Sequence, residues 1–165
     1  MKTNRTLRTL KNKLLITCAS LLLLHAGVSC MGKISYEKLM EKQLAEIFPP
    51  SFLSNYRCIV LIPNSGCSGC VQEAEDYFLQ HQNNKDVLFI FTNFPSQKTL
   101  TIKLGKDSLT QSNVWLDNDN SFYYPEYVES IYPCVIFLKE GVIDYLANLD
   151  ELLIDKQIDI ESSVH

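Results

Sequence analysis

The residues of this chain that are best suited to chemistry are two cysteines three positions apart, Cys67 and Cys70, with Ser68-Gly69 between them. A pair at this CxxC spacing can close a disulfide and exchange two electrons with another disulfide. Alternatively, its two thiolates can bind a soft metal ion. The secondary structure around the pair decides how exposed and how acidic each sulfur is.

A strand and a helix are predicted on either side of the pair. Residues 57–62 are almost continuously apolar, as in a strand that is buried on both faces, and residues 63–66 form a turn. Apolar residues recur at helical spacing over residues 67–82, and residues 87–91 are a second buried strand. Two such strands joined by a helix form a right-handed βαβ unit with parallel strands.

This unit gives the two sulfurs different environments. Cys67 stands at the N-terminus of the helix, where unpaired backbone N–H groups and the helix dipole favour a thiolate. Cys70 lies one turn further on, on the apolar side of the helix beside Val71 and Ala74. We therefore expect Cys67 to be the exposed nucleophile and Cys70 to be the shielded thiol that resolves a mixed disulfide.

The other elements alternate in the same way and predict an α/β fold with a central mixed β-sheet flanked by helices. Pro49-Pro50 ends the first helix, and Glu140-Gly141 turns the final hairpin. Asn148 is placed to cap a last helix. Helices are predicted over residues 33–48 and 96–104, and strands over residues 113–116, 134–138 and 142–145.

The chain resembles the thioredoxin-like superfamily over about residues 55 to 155. The motifs that carry this resemblance are the CxxC, the run Ile131-Tyr132-Pro133 directly before the apolar strand, and the closing hairpin. The resemblance implies a thioredoxin-like fold and thiol–disulfide oxidoreductase activity on protein cysteines, catalysed by Cys67 and Cys70. It implies no cofactor besides that redox-active disulfide, and a redox partner protein. It also implies a cis Tyr132–Pro133 bond that faces the CxxC, with both residues contacting the substrate.

Residues 113–122 are similar to the membrane-anchored extracytoplasmic branch of this superfamily, which includes cytochrome-maturation thioredoxins. Two positions depart from the family pattern. Gly66 stands where Trp is common before the first cysteine, and Leu61 stands where many members keep a buried acid. Cys134, directly after the proline, is either a third redox thiol near Cys67 or a small buried core residue. Cys58 is expected to be a core residue.

The first thirty residues have the layout of an export signal. Residues 1–13 are basic, residues 14–24 are apolar but too few to span a membrane, and residues 25–29 are mostly small. Cys30 follows directly, as in a bacterial lipoprotein signal, in which this cysteine is lipidated. Simple secretion with a free Cys30 is the alternative. We expect an exported protein, periplasmic or at the cell surface, lipid-anchored to a bacterial membrane, where disulfides persist.

These interpretations divide the chain into three parts. Residues 1–29 are the signal peptide, residues 30–50 a tether with an amphipathic helix, and residues 51–165 the thioredoxin-like domain. The signal contains five basic and no acidic residues, so ten basic residues stand against all 19 acidic ones in the remainder, a formal charge of −9. So acidic a protein lacks the basic patch that nucleic acids require, and no nucleic-acid partner is expected.

Two other functions stay open. The first is a copper or zinc binding or delivery module that uses the CxxC sulfurs. A zinc site commonly needs four ligands, and no second cysteine pair accompanies the first, so no metal site is expected. The second is a non-enzymatic surface lipoprotein in which the CxxC forms a structural disulfide. Residues 117–121 resemble the start of a calcium loop, but Phe122 replaces the glycine of its sixth position, which favours a simple turn.

Overall fold

Five strands form one mixed sheet in the order β3-β2-β1-β4-β5 in the computed structural model, which describes residues 34–149. Neighbouring strands are parallel from β3 to β1, and β4 is antiparallel to both β1 and β5. The strands are β1 (Cys58–Pro63), β2 (Val87–Thr92), β3 (Val114–Leu116), β4 (Cys134–Lys139) and β5 (Val142–Asn148).

The helices agree with the sequence pattern, with one correction. Pro50 does more than follow the end of a helix, because it begins a short second one as its first residue, where the missing N–H costs nothing. Asn148 is the last residue of β5 and directly precedes Leu149, which is helical, and the rest of the predicted final helix lies outside the described residues. The helices are α1 (Tyr36–Ile47), α2 (Pro50–Leu53), α3 (Ser68–His81), α4 (Gln97–Leu104) and α5 (Lys106–Leu109), with a 3₁₀ turn at Val128–Ile131.

Both faces of the sheet are covered. The first face carries Val60 and Phe89 and packs against α3 and α4. The second face carries Ile59 and Ile90 and packs against α1. All six residues of β1 and of β2 are buried for this reason, which explains their almost continuous apolar runs. The protein therefore has an α/β fold with a mixed sheet flanked by helices, consistent with the thioredoxin-like fold.

Helix α1 folds back onto the domain. Ser35 caps it by accepting the N–H of Lys38, and its apolar stripe, which includes Met40 and Leu44, is buried in the second face. The segment before β4 holds α1 in place. The Tyr124 hydroxyl donates to Gln43 Oε1 at 2.9 Å. The Tyr127 hydroxyl donates to the carbonyl of Ile34 at 2.6 Å. Both tyrosines therefore attach α1 to the rest of the domain.

Asp117 organises the turn after β3. Its buried carboxylate accepts the hydroxyl of Thr92 at 2.7 Å and the N–H groups of Ser121 and Phe122 at 2.9 Å. These bonds satisfy the carboxylate within the protein and join the ends of β2 and β3. The turn predicted for residues 117–121 is confirmed.

Among residues 34–149, no helix combines the length and the apolar character that crossing a membrane would require.

Candidate functional site

Cys67 is the N-cap residue of α3. Its backbone is extended, and its Sγ accepts the N–H of Cys70 at 3.1 Å, which satisfies one of the free donors at the start of the helix. Cys67 and Cys70 form a disulfide with their Cα atoms 5.3 Å apart. The predicted position of the pair, at the junction of a strand, a turn and a helix, is confirmed.

The two cysteine residues differ in exposure in the predicted order. Cys67 is exposed to solvent, and Cys70 is half-buried one turn into the helix. The first turn of α3 contains no acidic side chain that would offset the positive end of the 14-residue helix. A thiolate at Cys67 is therefore stabilised by the helix terminus when the disulfide is reduced, as attack on another disulfide requires.

The backbone conformation and the close neighbours of Gly66 exclude a tryptophan at this position before the first cysteine. Its φ is +85°, in the left-handed region that favours glycine. A Cβ atom added there would lie 2.8 Å from the carbonyl oxygen of Ile131 and 3.0 Å from Cδ1 of Tyr132. Any larger residue would displace the loop that precedes β4.

That loop brings Ile131 and Tyr132 against Ser65 and Gly66, directly before the CxxC. The Ser65 hydroxyl donates to the Ile131 carbonyl at 3.0 Å, and the Tyr132 ring lies against Gly66. Tyr132 is 43% exposed, and Pro133 is buried. The geometry therefore places an exposed tyrosine against the residue that precedes the more exposed cysteine, and its contact with a substrate stays a prediction.

The expectation of a cis Tyr132–Pro133 bond is wrong in this structure. The bond is trans, and no cis peptide occurs among residues 34–149. Tyr132 has φ −106° and ψ 151°, the extended conformation that is usual before a proline. A proline at this position does not fix the isomer by itself, because the two forms differ by only about 0.5–1 kcal/mol.

Cys134 and Cys58 are free thiols within the core. Cys134 begins β4, pairs across the sheet with Leu61 of β1, and is buried. Burial raises the pKa of Cys134 to about 12 and that of Cys58 to about 11. Both thiols therefore stay protonated and poorly nucleophilic near neutral pH, which favours the core interpretation of Cys134 over a third redox thiol.

Alkaline pH is expected to destabilise the fold through these thiols. A cysteine with the ordinary pKa of 9.0 loses its proton in the unfolded chain well before Cys134 does in the folded protein. The contribution of this buried thiol to the free energy of unfolding is therefore fully present below about pH 9 and is lost as the pH rises towards 12. We expect the urea midpoint to follow this course, with a smaller decrease in Cys134→Val. An equal decrease in both proteins would contradict it.

A buried acid lies on α3 and not on the first strand, where many members of the resembled family keep one. Leu61 is fully buried and apolar at that position, whereas Glu75, on α3 itself, is buried and forms an ion pair with Lys103 of α4. The signal was available, because position 75 falls within the helical stripe that contains Ala74 and Phe78. The pair ties the cysteine-bearing helix to its neighbour.

Metal ligands do not converge within the described part of the chain. No group of three or more His, Cys, Asp or Glu side chains in residues 34–149 is placed to hold a metal ion. A metal site built on Cys67 and Cys70 would have to take its remaining ligands from elsewhere.

Comparison with known proteins adds no relative. No family model matches the chain, and neither a curated protein nor a solved structure matches it. The functional assignment therefore depends on the geometry of the CxxC and of the loop beside it.

Proposed function

We propose that this protein is an extracytoplasmic thiol–disulfide oxidoreductase that acts on the cysteines of other proteins. The observation that carries the proposal is the Cys67–Cys70 disulfide at the start of α3, with the Tyr132–Pro133 loop packed against Gly66. An exposed sulfur and a shielded sulfur at a helix N-terminus form an arrangement suited to dithiol–disulfide exchange.

The exchange takes two steps. In the reduced protein, the Cys67 thiolate attacks one sulfur of a substrate disulfide, forms a mixed disulfide and releases the other substrate sulfur as a thiol. The Cys70 thiolate then attacks the Cys67 sulfur, restores the 67–70 disulfide and releases the second substrate thiol. Two electrons and two protons pass to the substrate. A redox partner protein then reduces the 67–70 disulfide again by supplying two electrons and two protons. The reverse sequence oxidises a substrate dithiol.

Tyr132 and Pro133 are the residues we assign to substrate contact. Tyr132 has the extended backbone of a β-strand and is exposed beside Gly66. A substrate segment that lies extended across this residue can pair with its backbone while its cysteine approaches Cys67. Pro133 has no N–H to donate and therefore directs such pairing to its neighbour.

The location is part of the proposal. The export signal and Cys30 favour a chain that is lipidated at Cys30 and anchored at the outer side of a bacterial membrane, within the membrane-anchored extracytoplasmic branch of thioredoxin-like proteins. Replacing Cys30 with serine should move the protein from the membrane fraction of cells to the soluble fraction. An unchanged membrane fraction would contradict lipidation at this residue.

The central experiment is a redox titration of the purified protein. The protein is equilibrated in thiol buffers of graded potential, and its free cysteines are mapped by alkylation and mass spectrometry. We expect one reversible two-electron transition confined to Cys67 and Cys70, and catalysed reduction of a protein disulfide. A bond that never titrates would favour a structural disulfide, thiols protected by stoichiometric copper or zinc would favour a metal module, and participation of Cys134 would require a three-thiol relay.

A further inference from the structure

A cleft of about 360 Å³ opens beside the Tyr132–Pro133 loop. It lies on the face of the sheet that α1 covers, at the end where β4 begins and β5 finishes. Its lining is mostly apolar. Of the lining residues, only Tyr132 and Pro133 have so far been assigned to substrate contact. The lining residues that matter here are Tyr36, Val128, Tyr132, Pro133, Cys134 and Leu146.

A buried hydroxyl lies at this cleft. Tyr36, the first residue of α1, is 5% exposed, and its hydroxyl lies beside Cys134 and Ser130. Within residues 34–149, no group meets the distance and angle limits of a hydrogen bond with it. Burial raises the pKa of the hydroxyl, so it stays protonated and able to donate. The hydroxyl is therefore a donor at the wall of the cleft, with Ser130 and Cys134 as its polar neighbours.

The rim of the cleft combines exposed apolar residues with exposed polar ones, Glu129 among them. Val128 is 67% exposed and Tyr132 is 43% exposed, and both line the opening. Tyr132 also touches Gly66, directly before Cys67, so the cleft is continuous with the loop that borders the CxxC. A polypeptide bound at Cys67 would therefore have an apolar recess within reach of the residues that flank its cysteine.

The described chain leaves this recess open. Leu149, which follows β5, packs with the residues of the opposite face, among them Val135 and Phe78. The cleft lies instead on the face of Cys134 and Tyr36. Its continuity with the CxxC loop favours a substrate segment as its occupant.

We propose that the cleft is a specificity pocket that receives one bulky apolar side chain of the substrate protein, close in sequence to the reacting cysteine. The inference depends on the proposed function. The pocket selects clients by the residue beside their cysteine.

The test compares short peptides that differ in one residue. Each uncharged, end-blocked peptide contains one cysteine as a mixed disulfide with thionitrobenzoate, and carries phenylalanine on the N-terminal side, on the C-terminal side, or serine on both. The reduced protein transfers two electrons to the mixed disulfide, which releases the peptide thiol and coloured thionitrobenzoate while the 67–70 disulfide forms. We expect one phenylalanine peptide to react about tenfold faster than the serine peptide at subsaturating concentration.

Two exposed positions supply matched variants. Val128→Asp places a charge at the rim of the pocket and should bring the rate ratio of phenylalanine to serine towards one. Ile102→Asp makes the same change at a residue that is 77% exposed on α4 and should leave the ratio unchanged. Equal rates for all peptides with the wild-type protein, or an unchanged ratio in Val128→Asp, would overturn the pocket while leaving the exchange activity in place. No reaction with any peptide would overturn the proposed function and the pocket with it.

Discussion

Replacing Cys67 with serine is expected to abolish disulfide exchange, whereas replacing Cys70 with serine should stop the reaction after its first step. Cys67 is the exposed sulfur at the N-terminus of α3, and a serine hydroxyl cannot form the nucleophile at neutral pH. Loss of a nucleophile of this kind lowers turnover by at least about a thousandfold. In Cys70→Ser the mixed disulfide on Cys67 has no resolving thiol and accumulates.

Turnover of a protein disulfide and non-reducing electrophoresis measure these two effects. Cys58→Val is the matched control, because Cys58 is a buried thiol at the far end of β1 from the CxxC. It should keep wild-type turnover and trap no substrate. Full turnover in Cys67→Ser, or a mixed disulfide held on another cysteine in Cys70→Ser, would refute the assignment of roles.

Replacing Gly66 with alanine is expected to damage both stability and activity. The φ of +85° is strained for any residue with a Cβ atom, which costs about 1–3 kcal/mol. The new methyl group would also meet the Ile131 carbonyl at 2.8 Å, and a backbone oxygen can move only if the loop moves. Tyr132 would then lose its position beside Cys67, so turnover by the folded protein should decrease at least about tenfold.

Two other glycines separate the contributions. Gly69, between the cysteines, has open space around its Cα, so Gly69→Ala should leave the fold intact or stabilise it by up to about 1 kcal/mol. Gly141 lies in the hairpin turn at the other end of β4 and has φ +81°. A Cβ atom added there would lie 2.7 Å from the carbonyl oxygen of Pro50. Gly141→Ala should therefore lose stability without losing turnover per folded molecule. Urea unfolding and turnover of all three variants give the comparison, and equal turnover in Gly66→Ala and Gly141→Ala would contradict it.

The parts of the fold that sequence predicted are those in which local pattern and burial agree. The apolar runs of β1 and β2 are buried on both faces, and the spacing from Val71 to Phe78 matches the buried side of α3. Cys67 could be placed as the helix cap because a turn and a helix follow the strand directly. These features depend on neighbours within a few residues, which the sequence displays.

The features that escaped prediction depend on distant contacts. The trans form of the Tyr132–Pro133 bond belongs to a loop that Ser65 and Gly66 hold from 66 residues away. Glu75 is buried because Lys103 of another helix reaches it. Sequence alone allows two interpretations of Cys134, and its burial against Leu61 and α1 favours the core interpretation. No local pattern displays such partners.

The pairing of β1 with β4 has a mechanical consequence. These two strands are adjacent and antiparallel, so the segment that leaves β1 towards Cys67 and the segment that enters β4 from Pro133 meet at one edge of the sheet. Both are attached to the best-buried part of the core rather than to a hinged lid. We expect these two segments to separate only when the whole domain unfolds. Because the site is rigid, the substrate protein must supply the flexibility that binding requires. Cysteines in flexible segments would therefore react first, and cysteines within stably folded structure would not react.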